Sequence, residues 1–131
     1  MGKYQNDDML DAALDYIKNN ATKLTVCSSQ PTNYNEAVNA PASSGYALAD
    51  VVVDSTDFTH AAGDTSGRKT TVAQQSDILI DVTGTAQHIA LVGTIASVNT
   101  LLYVTTCTSQ SLTAANNVTV PAWDIELRDA A

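Results

Sequence analysis

Between Ser76 and Arg128 the chain repeatedly alternates at a spacing of two. Ile78, Ile80 and Val82 alternate with Asp77, Leu79 and Asp81. Ile89 and Leu91 alternate with His88 and Ala90. Near the C-terminal end Trp123, Ile125 and Leu127 alternate with Asp124 and Glu126. A period of two sends successive side chains to opposite faces, which is the signature of half-buried antiparallel strands. It predicts strands over residues 77–82, 86–92, 101–106 and 123–127, with Thr83, Gly84 and Thr85 as a turn. Within the last strand, Trp123, Ile125 and Leu127 are expected to face the core, with Trp123 as anchor or, failing that, as an exposed interface aromatic. Asp124 and Glu126 face solvent or a partner.

The N-terminal part has a different period. Asn6 suits a helix N-cap, with Asp7 and Asp8 in the first turn, where negative charge favours the dipole. Met9, Leu10, Ala13, Leu14 and Ile17 recur at three and four, giving one apolar stripe on a helix over residues 6–20. A helix this short is marginal alone. Its stripe must pack on its own domain or dock on a partner or symmetry mate.

Further strands are predicted over 23–28, around Val51, Val52 and Val53 as a buried run within 46–54, and over 68–73. One helical turn is expected at 34–38. Residues 39–45 read as a flexible surface insert, and residues 54–67 as a polar loop. Seven or so short strands separated by polar turns favour a mainly β fold: an antiparallel β-sandwich or jelly-roll-like barrel with a short N-terminal helix. At 131 residues this is one domain, residues 1–131, the β-sandwich occupying 23–131.

The core is lean. One Trp, one Phe and five Tyr leave it to Val, Ile, Leu and Ala, so stability is expected to come partly from neighbours. The net charge is −8, with six Lys and Arg. Phosphate contacts need clustered cations, and the one pair is Arg68–Lys69. This argues against nucleic acid and against anionic membranes. No apolar stretch suits a secretory signal or a membrane span. Without secretion, the sequons at Asn20 and Asn117 are accidents, and Asn6 stands where a myristoylation signal at Gly2 wants Ser or Thr. Cys27 and Cys107 lack metal or redox spacing and are expected to be reduced and structural.

Three groupings suggest chemistry and then fall short of it. Asp54, Asp57, His60 and Asp64 crowd one segment, but their spacing fits no metal loop. Gly63-Asp64-Thr65-Ser66-Gly67-Arg68-Lys69 has three residues between its glycines where a phosphate loop needs four. A nucleophilic Ser66 needs a base, and His60 and His88 are the only histidines; His88 falls within a strand. The chain is therefore expected to carry no catalytic, cofactor or metal site. The candidate interface residues are Met9, Leu10, Leu14 and Ile17 on the helix, with Asp124 and Glu126 on the last strand.

Five stretches resemble a family of small tailed-phage virion structural proteins. They are Leu10-Asp11-Ala12-Ala13-Leu14-Asp15-Tyr16-Ile17, Leu24-Thr25-Val26-Cys27-Ser28-Ser29-Gln30-Pro31-Thr32, Gly63-Asp64-Thr65-Ser66-Gly67-Arg68-Lys69, Thr83-Gly84-Thr85-Ala86-Gln87-His88-Ile89-Ala90-Leu91-Val92 and Pro121-Ala122-Trp123-Asp124-Ile125-Glu126-Leu127. Within that family a capsid cement, or head-decoration, protein fits best. The resemblance implies synthesis in the host cytoplasm and a place on the outer capsid surface. The implied partner is the phage major capsid protein, with self-association as a dimer or trimer. A tail- or fibre-associated component is the competing reading. The loop from Val92 to Asn99 matches no pattern of the family.

Overall fold

The structure is a computed structural model and describes residues 6–128; Gly2 lies outside them. The first element is helix α1 (Asp7–Asn20). Asn6 Oδ1 accepts from the N–H groups of Asp8 at 2.7 Å and Met9 at 3.3 Å, satisfying donors that have no partner within the helix. Leu10 and Leu14 are buried, and Ile17 packs beside them against the core. The stripe therefore packs on the chain's own domain.

Strand β1 (Ala21–Cys27) follows without a loop. After helix α2 (Tyr34–Val38) come β2 (Ala47–Val52), β3 (Phe58–Ala62), β4 (Arg68–Val72), β5 (Gln75–Leu79), β6 (Gly84–Ile95), β7 (Val98–Leu112), β8 (Asn117–Val120) and β9 (Trp123–Leu127). A four-stranded sheet has the order β2-β1-β6-β7, a three-stranded sheet β3-β4-β9, and β5 pairs with β8. All these pairings are antiparallel. The β5–β8 ribbon joins the outer side of β2. Ala49 bridges Ile80, and the N–H groups of Asp81 and Val82 both donate to Leu48 O, at 2.8 and 3.1 Å. The sheets do not close into a barrel; the fold is an antiparallel β-sandwich with a short N-terminal helix.

The main core lies between the four-stranded sheet and the two smaller ones. Leu24, Val26, Ile89 and Leu91 meet Phe58, Val72 and Ile125 from one small sheet, and Ile78, Val118 and Val120 from the other. A second, smaller cluster lies on the opposite face of the large sheet, where Cys27, Ala90 and Val92 pack under Ala37 of α2. Each fully buried Val, Leu or Ile contributes about 1.5–3 kcal/mol. Among the described residues no helix is long and apolar enough to cross a membrane.

Several local expectations change. Gly84 and Thr85 belong to β6 rather than to a turn. Ala90 is buried, not solvent-facing, because α2 covers that side of the sheet. Val52 is 76% exposed between half-buried Val51 and buried Val53, so the valine run alternates between faces as a strand must. The segment from 39 to 45 is tied down: Gly45 N–H donates to Ala40 O at 3.1 Å and Ala47 N–H to Asn39 O at 2.9 Å. A Cβ on Gly45 would lie 2.0 Å from Asn39 O, so only glycine fits there. The polar stretch after Asp54 contains β3, and β8 precedes Pro121. The unassigned loop after Val92 is the tip of the β6–β7 hairpin, turned by Ala96 and Ser97 at φ of 50° and 66°. Two central residues at positive φ are what a type I′ turn requires.

Candidate functional site

The polar side chains singled out in the sequence converge on the three-stranded sheet and on α1 above it. Arg68 and His60, on neighbouring strands, both reach the helix. Arg68 Nε donates to Asp11 Oδ1 at 2.8 Å, and His60 Nε2 lies 2.7 Å from Asp15 Oδ1. Asp11 and Asp15 are four residues apart, so they share one face of α1. Two polar contacts thus flank the apolar seat of the helix.

On the outer face of the same sheet, Lys69 stands between Asp64 at 2.8 Å and Asp124 at 3.2 Å. Thr71 Oγ1 also donates to Asp124, at 2.7 Å. The Thr71 hydroxyl, and then the Lys69 ammonium, hold the Asp124 carboxyl below its ordinary range. Glu126 does a different job. Its Oε1 accepts from the backbone N–H of Asp64 and from that of Thr65 at 3.3 Å, while Oε2 accepts from Arg128 Nε at 2.9 Å. Arg128 and the two amides keep this carboxyl ionised below its usual pKa.

The Gly63–Gly67 turn is thus an anion nest of successive N–H groups, and its anion is the chain's own Glu126. Gly63 N–H donates to Gly67 O at 2.9 Å, and Gly67 takes φ 71°. A Cβ on Gly63 would lie 2.9 Å from Glu126 Oε1 and 2.0 Å from Ser66 O. Of the glycines that hinted at a phosphate loop, Gly63 lets the Glu126 carboxylate approach, and Gly67 serves its left-handed turn and the close backbone of Leu127.

The four residues weighed as metal ligands take separate roles. Asp54 and Asp57 form a capping box on a short 3₁₀ turn, Asp54 N–H donating to Asp57 Oδ2 at 2.9 Å. His60 bonds α1, and Asp64 bonds Lys69. Among the described residues no three His, Cys, Asp or Glu are grouped to hold a metal ion. Both cysteines are free. Cys27 lies in the small cluster under α2 and Cys107 borders the main core, so they lie on opposite faces of the large sheet. Burial pushes both thiols up in pKa, which favours the protonated form. His88 pairs with Cys27 in register, half-buried within β6.

Of the interface candidates, Leu10 and Leu14 are inside the core and Ile17 is half-buried against it, while Met9 is 54% exposed. Asp124 is exposed and Glu126 half-buried, each bonded as above. Trp123 is half-buried at the border of the core and stacks on Tyr103, ring centres 5.9 Å apart. Beside it two adjoining cavities of about 220 and 240 Å³ open between β7 and the 118–124 segment. Both are bordered by Ile89, Cys107, Val120 and Pro121. The sequence marks none of these cross-sheet pairings. The one available signal is that Arg68 and Lys69 are adjacent cations in an acid-rich chain.

The chain matches no protein-family model, no curated protein and no solved structure.

Proposed function

We propose that this chain is a non-catalytic structural protein of a tailed-phage virion that binds the outside of the assembled head as a cement or decoration protein. The observation that supports this is how the five resembling stretches come together. They are scattered over the sequence, yet they supply α1, β1, the 63–69 turn and start of β4, most of β6, and β9. These pieces join one another directly. β1 pairs with β6 and β4 with β9. Arg68 meets Asp11, and Glu126 fills the nest at Asp64 and Thr65. The resemblance thus covers one connected scaffold, and its polar side chains tie that scaffold together instead of lining a cleft.

Decoration works by repetition. A shell presents many equivalent sites, so weak individual contacts add up when neighbouring copies are linked. An acidic surface suits basic patches on the shell.

The test is reconstitution. Heads assembled without this protein are incubated with it and imaged by electron microscopy. Regularly spaced density on the shell, at a copy number comparable to that of the major capsid protein, is the expected result. A low copy number confined to tail fractions overturns it in favour of a tail or fibre component. A turnover by the purified chain that is lost when His60 and His88 are both replaced by Ala overturns the non-catalytic part.

A further inference from the structure

The sandwich leaves a gap along one side, and the cause lies in the sequence. From Thr105 to Ser111 strand β7 has no large apolar side chain. Opposite this stretch the chain passes from β8 to β9 through Pro121 and the small Ala122. The two cavities of about 220 and 240 Å³ lie in this gap. One reaches Leu112, the other reaches Trp123, and both are bordered by Cys107. Together they make a slot that follows β7, closed at one end by Trp123 stacked on Tyr103.

Val26, Ile89, Val118 and Val120 line the slot, and all four belong to the main core. A close-packed interior leaves few voids larger than a water molecule. Water in such a space needs two to four polar partners, and these four side chains offer none. The polar residues Thr106, Thr108 and Gln110 also border the slot but are exposed, at its rim. An apolar cavity of about 150 Å³ holds a benzene molecule. Each lobe therefore has room for a small apolar group, and the two in series have room for a longer one.

Charge and shape select the occupant. Among the described residues that border the slot none is Lys, Arg or His, and the one carboxylate, Asp124, is held by Lys69 and Thr71. A charge buried without a partner is costly, and the net charge of −8 opposes an anion in particular. Two lobes side by side suit a chain better than a compact cage.

We infer that this slot binds an uncharged straight-chain aliphatic molecule, laid along β7 between Trp123 and Leu112 with its polar end at the rim. Apolar walls with a few polar groups at the mouth are the usual build of a small-molecule site. The site stands apart from the virion reading and is tested on the purified chain alone.

Two built-in reporters border the slot. Trp123 is the only Trp, and Cys107 is half-buried while Cys27 is fully buried. The probe is 1-decanol. Its titration is expected to move the Trp123 emission to shorter wavelength and to saturate at one molecule per chain. At about ten times the dissociation constant it is expected to slow alkylation of Cys107 about tenfold, as the free fraction falls. Decanoate and 1-adamantanol at the same concentration are expected to do neither. Cys107→Phe fills the place where the lobes meet and is expected to abolish the emission shift while leaving a cooperative melt. No saturable shift up to the solubility limit of decanol overturns the inference. So does an equal response to decanoate or adamantanol, or a folded Cys107→Phe that binds decanol as the unaltered chain does. If that variant does not fold, protection of Cys107 in the unaltered chain decides.

Discussion

The two sides of the sandwich are held by different physics. The four-stranded sheet is held by apolar contact, with its central strands covered on both faces: Leu24, Leu91 and Ile89 on one, Cys27, Ala90 and Val92 on the other. The three-stranded sheet buries Phe58, Val72 and Ile125 on its inner face. Its outer face and its join to α1 are a polar lattice of Lys69, Thr71, Asp124, Glu126, Arg68 and His60. The contrast shows how a lean core is shared out. Apolar residues concentrate in one sheet, and the other is positioned by hydrogen bonds whose net worth is small.

The comparison is broken most severely from the apolar side. Leu24→Ala removes a fully buried side chain and is expected to cost about 3 kcal/mol in denaturant unfolding. A loss under about 1 kcal/mol would mean that the large sheet does not carry the stability. Trp123→Ala lies on the border between the two systems. Because Trp123 is only half-buried, the expected loss is about 2 kcal/mol, below that of a fully buried Trp. An unchanged melting temperature would make the Tyr103 stack incidental.

Acid sharpens the comparison. Glu36, Asp54, Asp124 and Glu126 all titrate below their ordinary values in the fold. Between the native and the unfolded pKa the unfolded chain binds more protons. The stabilisation is therefore complete above the unfolded carboxylate values, roughly pH 4, and is lost as pH falls through the lower native values. Denaturant midpoints are expected to fall below that pH in the unaltered chain and to fall less in Asp124→Asn. The smallest effect is local. Glu126→Gln is expected to leave the melting temperature nearly unchanged while the amides of Asp64 and Thr65 exchange faster. Equal exchange in both proteins would remove Glu126 from its role in shaping the turn.

Legibility in the sequence follows the same division. Where burial imposes a period, several elements match residue for residue or nearly so, but the strand read over 77–82 is β5 at Gln75–Leu79, irregular where Asp77 takes φ 56°, and the strand read over 101–106 is the middle of β7 at Val98–Leu112. β9 spans 123–127 and α2 spans 34–38 as read, and α1, β1 and β4 fall within a residue or two. β3 carries no such period, and β8 alternates Val118 and Val120 with Asn117 and Thr119 over too few residues to stand out. Phe58-Thr59-His60-Ala61-Ala62 has one large apolar residue, and β8 is four residues long. The tip of the β6–β7 hairpin is not legible because Ala96 and Ser97 hold positive φ without the Gly or Asn that marks such turns. The polar lattice was not legible at all. Asp11 with Arg68 and Asp64 with Glu126 lie 57 and 62 residues apart, and only the fold joins them. Thus Asp124 and Glu126 read as a free acidic face, although both are held by neighbours within the chain.

The nest around Glu126 also sets an order of events during folding. The β3–β4 hairpin is local, but its turn closes on a carboxylate 62 residues further along, and β4 gains its second neighbour only when β9 pairs with it. Contacts of that separation are slow to form because a long loop must close first. During synthesis the three-stranded sheet stays a two-stranded ribbon until residues 123–127 have emerged. The large sheet requires a closure just as long, since β1 pairs with β6 as Thr25 with Ala90, but its last strand ends at Leu112, so during synthesis β9 is the last strand to reach either sheet.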